Sequence, residues 1–184
     1  MESDADVILA SMADPRRFGD VFDRHATTLF RYLVRRVGVD EAEALLGETF
    51  RIAFEKRETY DVTRDNARPW LYGIATNLIA RHRRSEARRM RATARVLASR
   101  VEADDGVDVL LSTLDAAELW PRVADAIGQL PDEERDALTL YVWEQLSYDD
   151  IAVALGVPVG TVRSRLNRAR KNLRELRTAI GREQ

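Results

Sequence analysis

Cysteine is absent from the 184-residue chain, which excludes a disulfide framework, a thiolate zinc site and a thiol redox sensor. Histidine is nearly absent too. His25 and His82 are the only two, and neither stands in an arrangement that would make a metal site or a catalytic base, so both are expected to be solvated or packing residues. No stretch approaches the roughly 20 apolar residues that cross a bilayer. The N-terminus, Met1-Glu2-Ser3-Asp4, lacks the basic-then-apolar pattern of a secretory signal, so a cytoplasmic protein without a membrane partner is expected. There is no glycine-rich phosphate loop, nucleophile elbow or candidate triad. The chain therefore reads as a non-enzyme that needs no cofactor and no metal.

What is present is charge and helical periodicity. Apolar residues make up 45% and charged residues 33% of the sequence, enough for a core beneath many exposed helix faces. The net charge of -2 conceals segregation. Arg81, Arg83, Arg84, Arg88, Arg89, Arg91 and Arg95 form one basic cluster, opposed locally only by Glu86. Arg163, Arg165, Arg168, Arg170, Lys171, Arg174 and Arg177 form another. Between them Glu102, Asp104, Asp105, Asp108, Asp115 and Glu118 make an acidic stretch. Such runs can be solvated helix faces or the footprint of a nucleic-acid binder.

No segment alternates as a strand, and the expected fold is all-α. Phe22, Ala26, Leu29, Leu33 and Val37 fall on one helical stripe, closed by Gly38. A second helix is expected from about Glu41, with Ala42, Leu45, Leu46, Thr49, Ile52 and Ala53 inward. Tyr60 to Asn66 is polar and reads as a loop. Pro69 suits the first turn of a third helix, whose apolar face is Trp70, Leu71, Ile74, Ala75 and Leu78 and which runs into the first arginine cluster. Trp70, Trp120 and Trp143 could stack on bases, but aromatics at helical spacing among apolar neighbours are more often core, the reading taken for Trp70. The pattern weakens from about Ala92 to Leu114, where Gly106 and the acids mark a flexible acidic linker. Beyond it Trp120, Val123, Ala124 and Ile127 mark a helix, Leu130-Pro131 a break, and Ala137, Leu138, Tyr141 and Val142 another helix. The expected organisation is a tail over 1–17, a helical domain over 18–91, a linker over 92–114 and a second helical domain over 115–180.

Residues 147–177 carry the most specific signal, a helix-turn-helix. Ser147 with Asp150 is a capping-box-like start. Ile151, Ala152 and Leu155 face inward, Gly156 ends the helix in a left-handed residue, Val157 plugs the turn and Pro158 restarts the chain. In the next helix Val162, Leu166, Ala169, Leu173 and Leu176 share one side, leaving Gly160, Arg163, Ser164, Asn167, Arg168 and Lys171 on the other. Arg163, Ser164 and Asn167 can hydrogen-bond base edges, whereas Arg165, Arg168 and Lys171 suit phosphates.

Leu130-Pro131, Arg135, Leu138, Leu140, Ser147-Tyr148, Ile151-Ala152 and the run Gly160 to Leu166 with Arg168-Ala169-Arg170 resemble the C-terminal promoter-binding domain of extracytoplasmic-function sigma factors. Ala42-Glu43, Glu48-Thr49-Phe50, Trp70-Leu71, Ile74-Ala75, Asn77 and the following arginines resemble the N-terminal domain of that family. The resemblance covers about residues 18 to 178 and implies two helical domains. The first, like region 2, would dock on the clamp helices of the largest subunit of core RNA polymerase, through Leu45, Leu46, Glu48 and Phe50 among others. It would also melt the minus-ten element of promoter DNA, with Tyr60, Asn66 and Asn77 around an unpaired base and Arg81, Arg83 and Arg84 on the backbone. The second, like region 4, would meet the polymerase flap region and read the minus-thirty-five element through Thr161, Arg163, Ser164, Arg165, Asn167, Arg168 and Lys171. The linker would thread polymerase channels, and an anti-sigma factor is a partner the resemblance allows. Ala44 and Gly47 depart from the family's polar docking residues, and Phe54 replaces its tryptophan. The chain ends soon after the recognition helix, so no further C-terminal domain is expected. The rival readings are a free-standing helix-turn-helix repressor or activator, which accounts for the C-terminal half alone, and a helical adaptor whose basic faces meet an acidic protein.

Overall fold

Helices whose apolar stripes are too narrow to fold alone must cover one another, and here they do so in two separate compact units. The computed structural model describes residues 2–97 and 126–180, the side chains of 89–97 and 176–180 excepted. Among these residues every regular element is helical.

The N-terminal unit contains α1 (Asp4–Ala10), α2 (Gly19–Val37), α3 (Val39–Glu55) and α4 (Arg68–Leu97), with single 3₁₀ turns at Pro15–Phe18 and Arg57–Thr59. The α2, α3 and α4 helices pack mutually. Gly38 adopts φ +85° between α2 and α3, a value that L side chains disfavour, and it lets the chain reverse within one residue. The core holds Val21, Leu29, Tyr32 and Leu33 of α2, Ala42, Thr49 and Ala53 of α3, and Leu71, Tyr72, Ala75 and Ile79 of α4. Tyr32 meets Tyr72 edge-on at 5.1 Å between centroids, and its hydroxyl pairs with Thr76 Oγ1 at 2.8 Å, which satisfies both buried hydroxyls.

Three expectations change in this unit. Residues 2–17, expected as part of a tail, are packed: α1 buries Val7 and Ile8 completely and contacts α2 and the Arg57–Thr59 turn. On α2 Leu29 and Leu33 are buried as expected, but at the start of the stripe Val21 is buried while Phe22 is 43% exposed. Two apolar neighbours, Val21 and Phe22, both satisfy the helical period, and packing buries the first. Residues 92–97, expected in the linker, continue α4. The rest of that linker, with Trp120, Val123 and Ala124, lies outside the described residues.

The C-terminal unit contains α5 (Asp132–Val142), α6 (Tyr148–Leu155) and α7 (Val159–Ile180). Leu130, Ala137, Leu138, Leu140, Leu146, Ile151, Ala154, Val162, Leu166 and Ala169 form its core. Tyr141 and Val142, expected on the apolar face of their helix, are exposed. Arg135 fastens the start of α5: its Nε donates to the Ile127 carbonyl at 2.9 Å, and its guanidinium also reaches the carbonyls of Gly128 and Leu130 and the Asp132 carboxylate.

Candidate nucleic-acid interface

The helix-turn-helix is assembled as its caps dictate. Ser147 Oγ accepts from the Asp150 amide at 3.1 Å, satisfying an orphan N–H of the first turn of α6. Gly156 (φ +63°, ψ +37°) ends α6 in the left-handed conformation, and the Val157 amide returns to the Ala152 carbonyl at 3.0 Å, closing the helix end. Ile151 and Ala154 are buried in α6, while Ala152 and Leu155, expected inward, are half-buried. Pro158 accepts from the Thr161 amide at 2.9 Å and so opens the first turn of α7.

On α7 Val162, Leu166 and Ala169 point inward with no measurable exposure, which turns Arg163, Ser164, Asn167 and Lys171 outward, all exposed. Thr161 is half-buried at the start of the same face. Ser164 Oγ donates to the Gly160 carbonyl at 3.0 Å, leaving its lone pairs available.

Arg165 and Arg168, expected as simple phosphate contacts, are tied to α5. Arg165 lies 2.7 Å from Glu133 with its side chain only 12% exposed, so it joins helices before it can join DNA. Arg168 Nε lies 3.1 Å from Glu134. Buried Glu134 also accepts from Asn172 at 2.8 Å, and the Arg168 side chain remains 59% exposed. Its outer nitrogens can therefore still reach a phosphate while Nε is held.

In the N-terminal unit Asn77, Arg81, Arg84 and Arg88 recur at three- and four-residue spacing along α4 and are exposed, one continuous polar stripe. Arg83 lies off that stripe, and its guanidinium donates to the Arg36 carbonyl near the end of α2 at 3.1 Å. It braces two helices and is half-buried, whereas its expected place is on the DNA backbone. Tyr60, expected beside a base, is 6% exposed. Its ring packs on Trp70 at 5.1 Å, its hydroxyl donates to the Arg64 carbonyl, and burial, with nearby carboxylates, pushes its pKa up to about 12. It shapes the loop from inside. Asn66 is exposed, and its Oδ1 accepts from the Arg68 amide at 3.0 Å, capping α4.

Sequence reasoning missed Asp4. Its carboxylate accepts from Arg24 at 2.9 Å, from His25 Nε2 at 2.7 Å and from the Ala67 amide at 2.9 Å. Burial alone would raise the carboxyl's pKa, but these donors outweigh it and hold the value at about 2. His25 is thus a buried partner of a carboxylate across 21 residues of sequence, a pairing that no local spacing signals.

On α3 Leu45, Leu46 and Glu48 are half-buried, while Phe50 is 7% exposed and packs on Phe22 at 4.8 Å. Phe50, expected at the docking surface, is thus placed in the core. Glu48 is held bidentately by Arg51, both contacts at 2.7 Å. Gly47 faces open space.

Residues 21–89 match the family Sigma-70 region 2 and residues 121–173 the family Sigma-70, region 4. The chain is 32% identical to the ECF RNA polymerase sigma factor SigL of Mycobacterium tuberculosis, over 90% of this chain and 91% of that one. It belongs to the extracytoplasmic-function (ECF) sigma factors. As a sigma factor it directs promoter recognition with RNA polymerase. The ECF sigma factor SigW of Bacillus subtilis is 31% identical over 88% of this chain and 89% of its own. Among solved structures, CnrH in complex with the cytosolic domain of CnrY superposes with a TM-score of 0.62 at 26% identity, covering 96% of this sigma factor and 99% of CnrH. The sigma factor RpoE of Bartonella quintana, solved with the anti-sigma factor NepR, shares the fold at a TM-score of 0.57 and 24% identity, over 88% of this chain and 96% of its own. Among the described residues no helix is long and apolar enough to cross a membrane. The region 2 match contains the α4 stripe and the loop before it, and the region 4 match contains the outer face of α7.

Proposed function

We propose that this sigma factor divides promoter recognition between its units: residues 18–91 dock on the clamp helices of the polymerase's largest subunit and open the minus-ten element, and residues 115–180 read minus-thirty-five near the flap. Residues 92–114 serve as the linker, with α4 reaching into its first turn. The observation that carries this reading is the division of α7. Val162, Leu166 and Ala169 are wholly buried on the side that packs on α5 and α6, while Arg163, Ser164, Asn167 and Lys171 stand exposed together, the residue types that pair with base edges and phosphates in a major groove. Arg168 adds a phosphate contact from a fixed position. Along α4, Asn77 with Arg81 and Arg84 takes the minus-ten strand, assisted by the loop ending at Asn66.

Docking falls to the flank of α3 bearing Leu45, Leu46 and Glu48, with Glu48 exchanging Arg51 for a polymerase partner. Ala44 and Gly47 leave the adjoining surface smooth, so the contact is made by shape and apolar area more than by side-chain amides. The protein works where polymerase works, in the cytoplasm, as an initiation factor without catalysis of its own. CnrH was solved with a bound protein domain, and an anti-sigma factor covering the docking flank is the corresponding partner here.

Run-off transcription with core polymerase and fragmented genomic DNA tests the reading. New start sites that share two spaced upstream motifs are expected only when the protein is added. If no starts appear and the protein alone protects a symmetric DNA site, it acts as a free-standing repressor.

A further inference from the structure

The loop between α3 and α4 makes single-turn backbone hydrogen bonds, such as the Arg64 amide to the Asp61 carbonyl at 3.0 Å, and both sides of Asn66 are fixed by one residue of α1. Ser3 caps α1, and its hydroxyl accepts the Asp6 amide at 3.1 Å. This leaves the Asp4 amide as an orphan donor of the first turn, and it donates to the Asp65 carbonyl at 3.0 Å. The Asp4 carboxylate accepts the Ala67 amide at 2.9 Å. Asn66 is thus gripped through its two neighbours. Its own side chain is committed to the Arg68 amide, which sets the first turn of α4 and so the register of the exposed stripe that begins at Asn77.

The grip is rigid because its other side is buried. Asp4 is 7% exposed, and Arg24 and His25 of α2 occupy its remaining acceptor positions at 2.9 and 2.7 Å. An ionised carboxylate only accepts, so His25 Nε2 carries the hydrogen of that contact. Val7 and Ile8, fully buried, anchor α1 beneath. On the far side of the loop Tyr60 holds the Arg64 carbonyl from within.

We propose that α1 is a positioning element for minus-ten capture: Asp4 holds the α3–α4 loop in the shape that receives an unpaired base, so that binding need not order the loop. This rests on the assignment of that loop to minus-ten recognition. Pre-shaping a loop raises affinity by removing its ordering cost, and it does so only for the strand the loop contacts. Polymerase attachment and minus-thirty-five reading draw on other surfaces and do not depend on Asp4.

The test uses the full chain assembled with core polymerase, as wild type, Asp4→Ala and Asp4→Asn. The probes are single-stranded oligonucleotides of the non-template strand across the minus-ten region of a promoter mapped by run-off, with that sequence intact or scrambled. Asp4→Ala is expected to reduce the preference for the intact strand by about tenfold, with co-purification of polymerase and minus-thirty-five discrimination on duplex DNA unchanged. Asp4→Asn keeps the shape and one acceptor and is expected to fall between. Amide exchange is expected to quicken at Ala67 in both variants while α2 and α3 stay protected, which separates loosening of the loop from unfolding. If wild type and Asp4→Ala prefer the intact strand equally, or if α2 and α3 lose protection along with the loop, the positioning role is overturned. If wild type itself shows no preference, the loop's assignment to minus-ten fails and the proposal falls with it.

Discussion

Arg163 and Arg168 lie on one helix but differ in their freedom. Arg163 is exposed and aimed outward, whereas Arg168 is fixed by Glu134. Arg163→Ala or Asn167→Ala should remove discrimination at one minus-thirty-five position, worth roughly 1–3 kcal/mol each, with polymerase attachment intact. Promoter competition assays with single-base variants check this, and equal loss on all promoters would contradict base reading. Arg168→Ala should instead weaken all promoters alike and lower the salt slope by roughly 0.9. Asp4 makes a separate prediction about acid stability. Its native carboxyl titrates at about 2 against an ordinary 3.8, so the native state binds fewer protons than the unfolded chain between those values. The stabilisation is full above about pH 5 and is lost as pH falls toward 2. Chemical unfolding of wild type and Asp4→Asn should show a difference that shrinks by roughly 2 kcal/mol over that span.

Glycines at two helix positions have opposite consequences. Gly47 is inside α3 with open space where a Cβ would go, so Gly47→Ala should stabilise the N-terminal unit by about 1 kcal/mol. That raises the melting midpoint of a domain this size by about 4–8 °C. Gly156 also faces open space, but at φ +63°, and Gly156→Ala should cost about 1 kcal/mol or more through backbone strain. Thermal denaturation of the two variants should move in opposite directions. The elements themselves were largely legible. The turn from Ser147 to Pro158 could be read residue by residue because caps and turn glycines act over a few positions. The first helix could not, since Asp4–Ala10 is too short for its period to register and is held by partners far along the chain. The start of the inward stripe of α2 differs for a related reason, although Leu29 and Leu33 are buried as expected: Val21 and Phe22 both suit the period, and packing buries Val21.

Across the whole molecule, charge is sorted so that a chain of net charge -2 presents cationic stripes in each unit. Arg81→Ala with Arg84→Ala should weaken promoter complexes and flatten their salt dependence, by roughly 0.9 for each phosphate contact removed. Arg83→Ala, which removes a brace to the end of α2, should lower stability of the N-terminal unit instead. A salt titration of holoenzyme on promoter DNA beside thermal melting of the free protein distinguishes the two outcomes. The helical class, the helix-turn-helix, the family and the outward placement of Arg163, Ser164 and Asn167 follow from the amino-acid order, because helical period, capping and turn chemistry depend on residues a few positions apart. Which of the remaining cations face solvent, the burial of Tyr60 and Phe50, and the grip of Asp4 on the loop before α4 come from packing between distant segments. Those outcomes rest on contacts such as Arg168 with Glu134 and Asp4 with Ala67, across 34 and 63 residues of sequence. Partners so distant leave no mark on local periodicity, and packing alone brings them together.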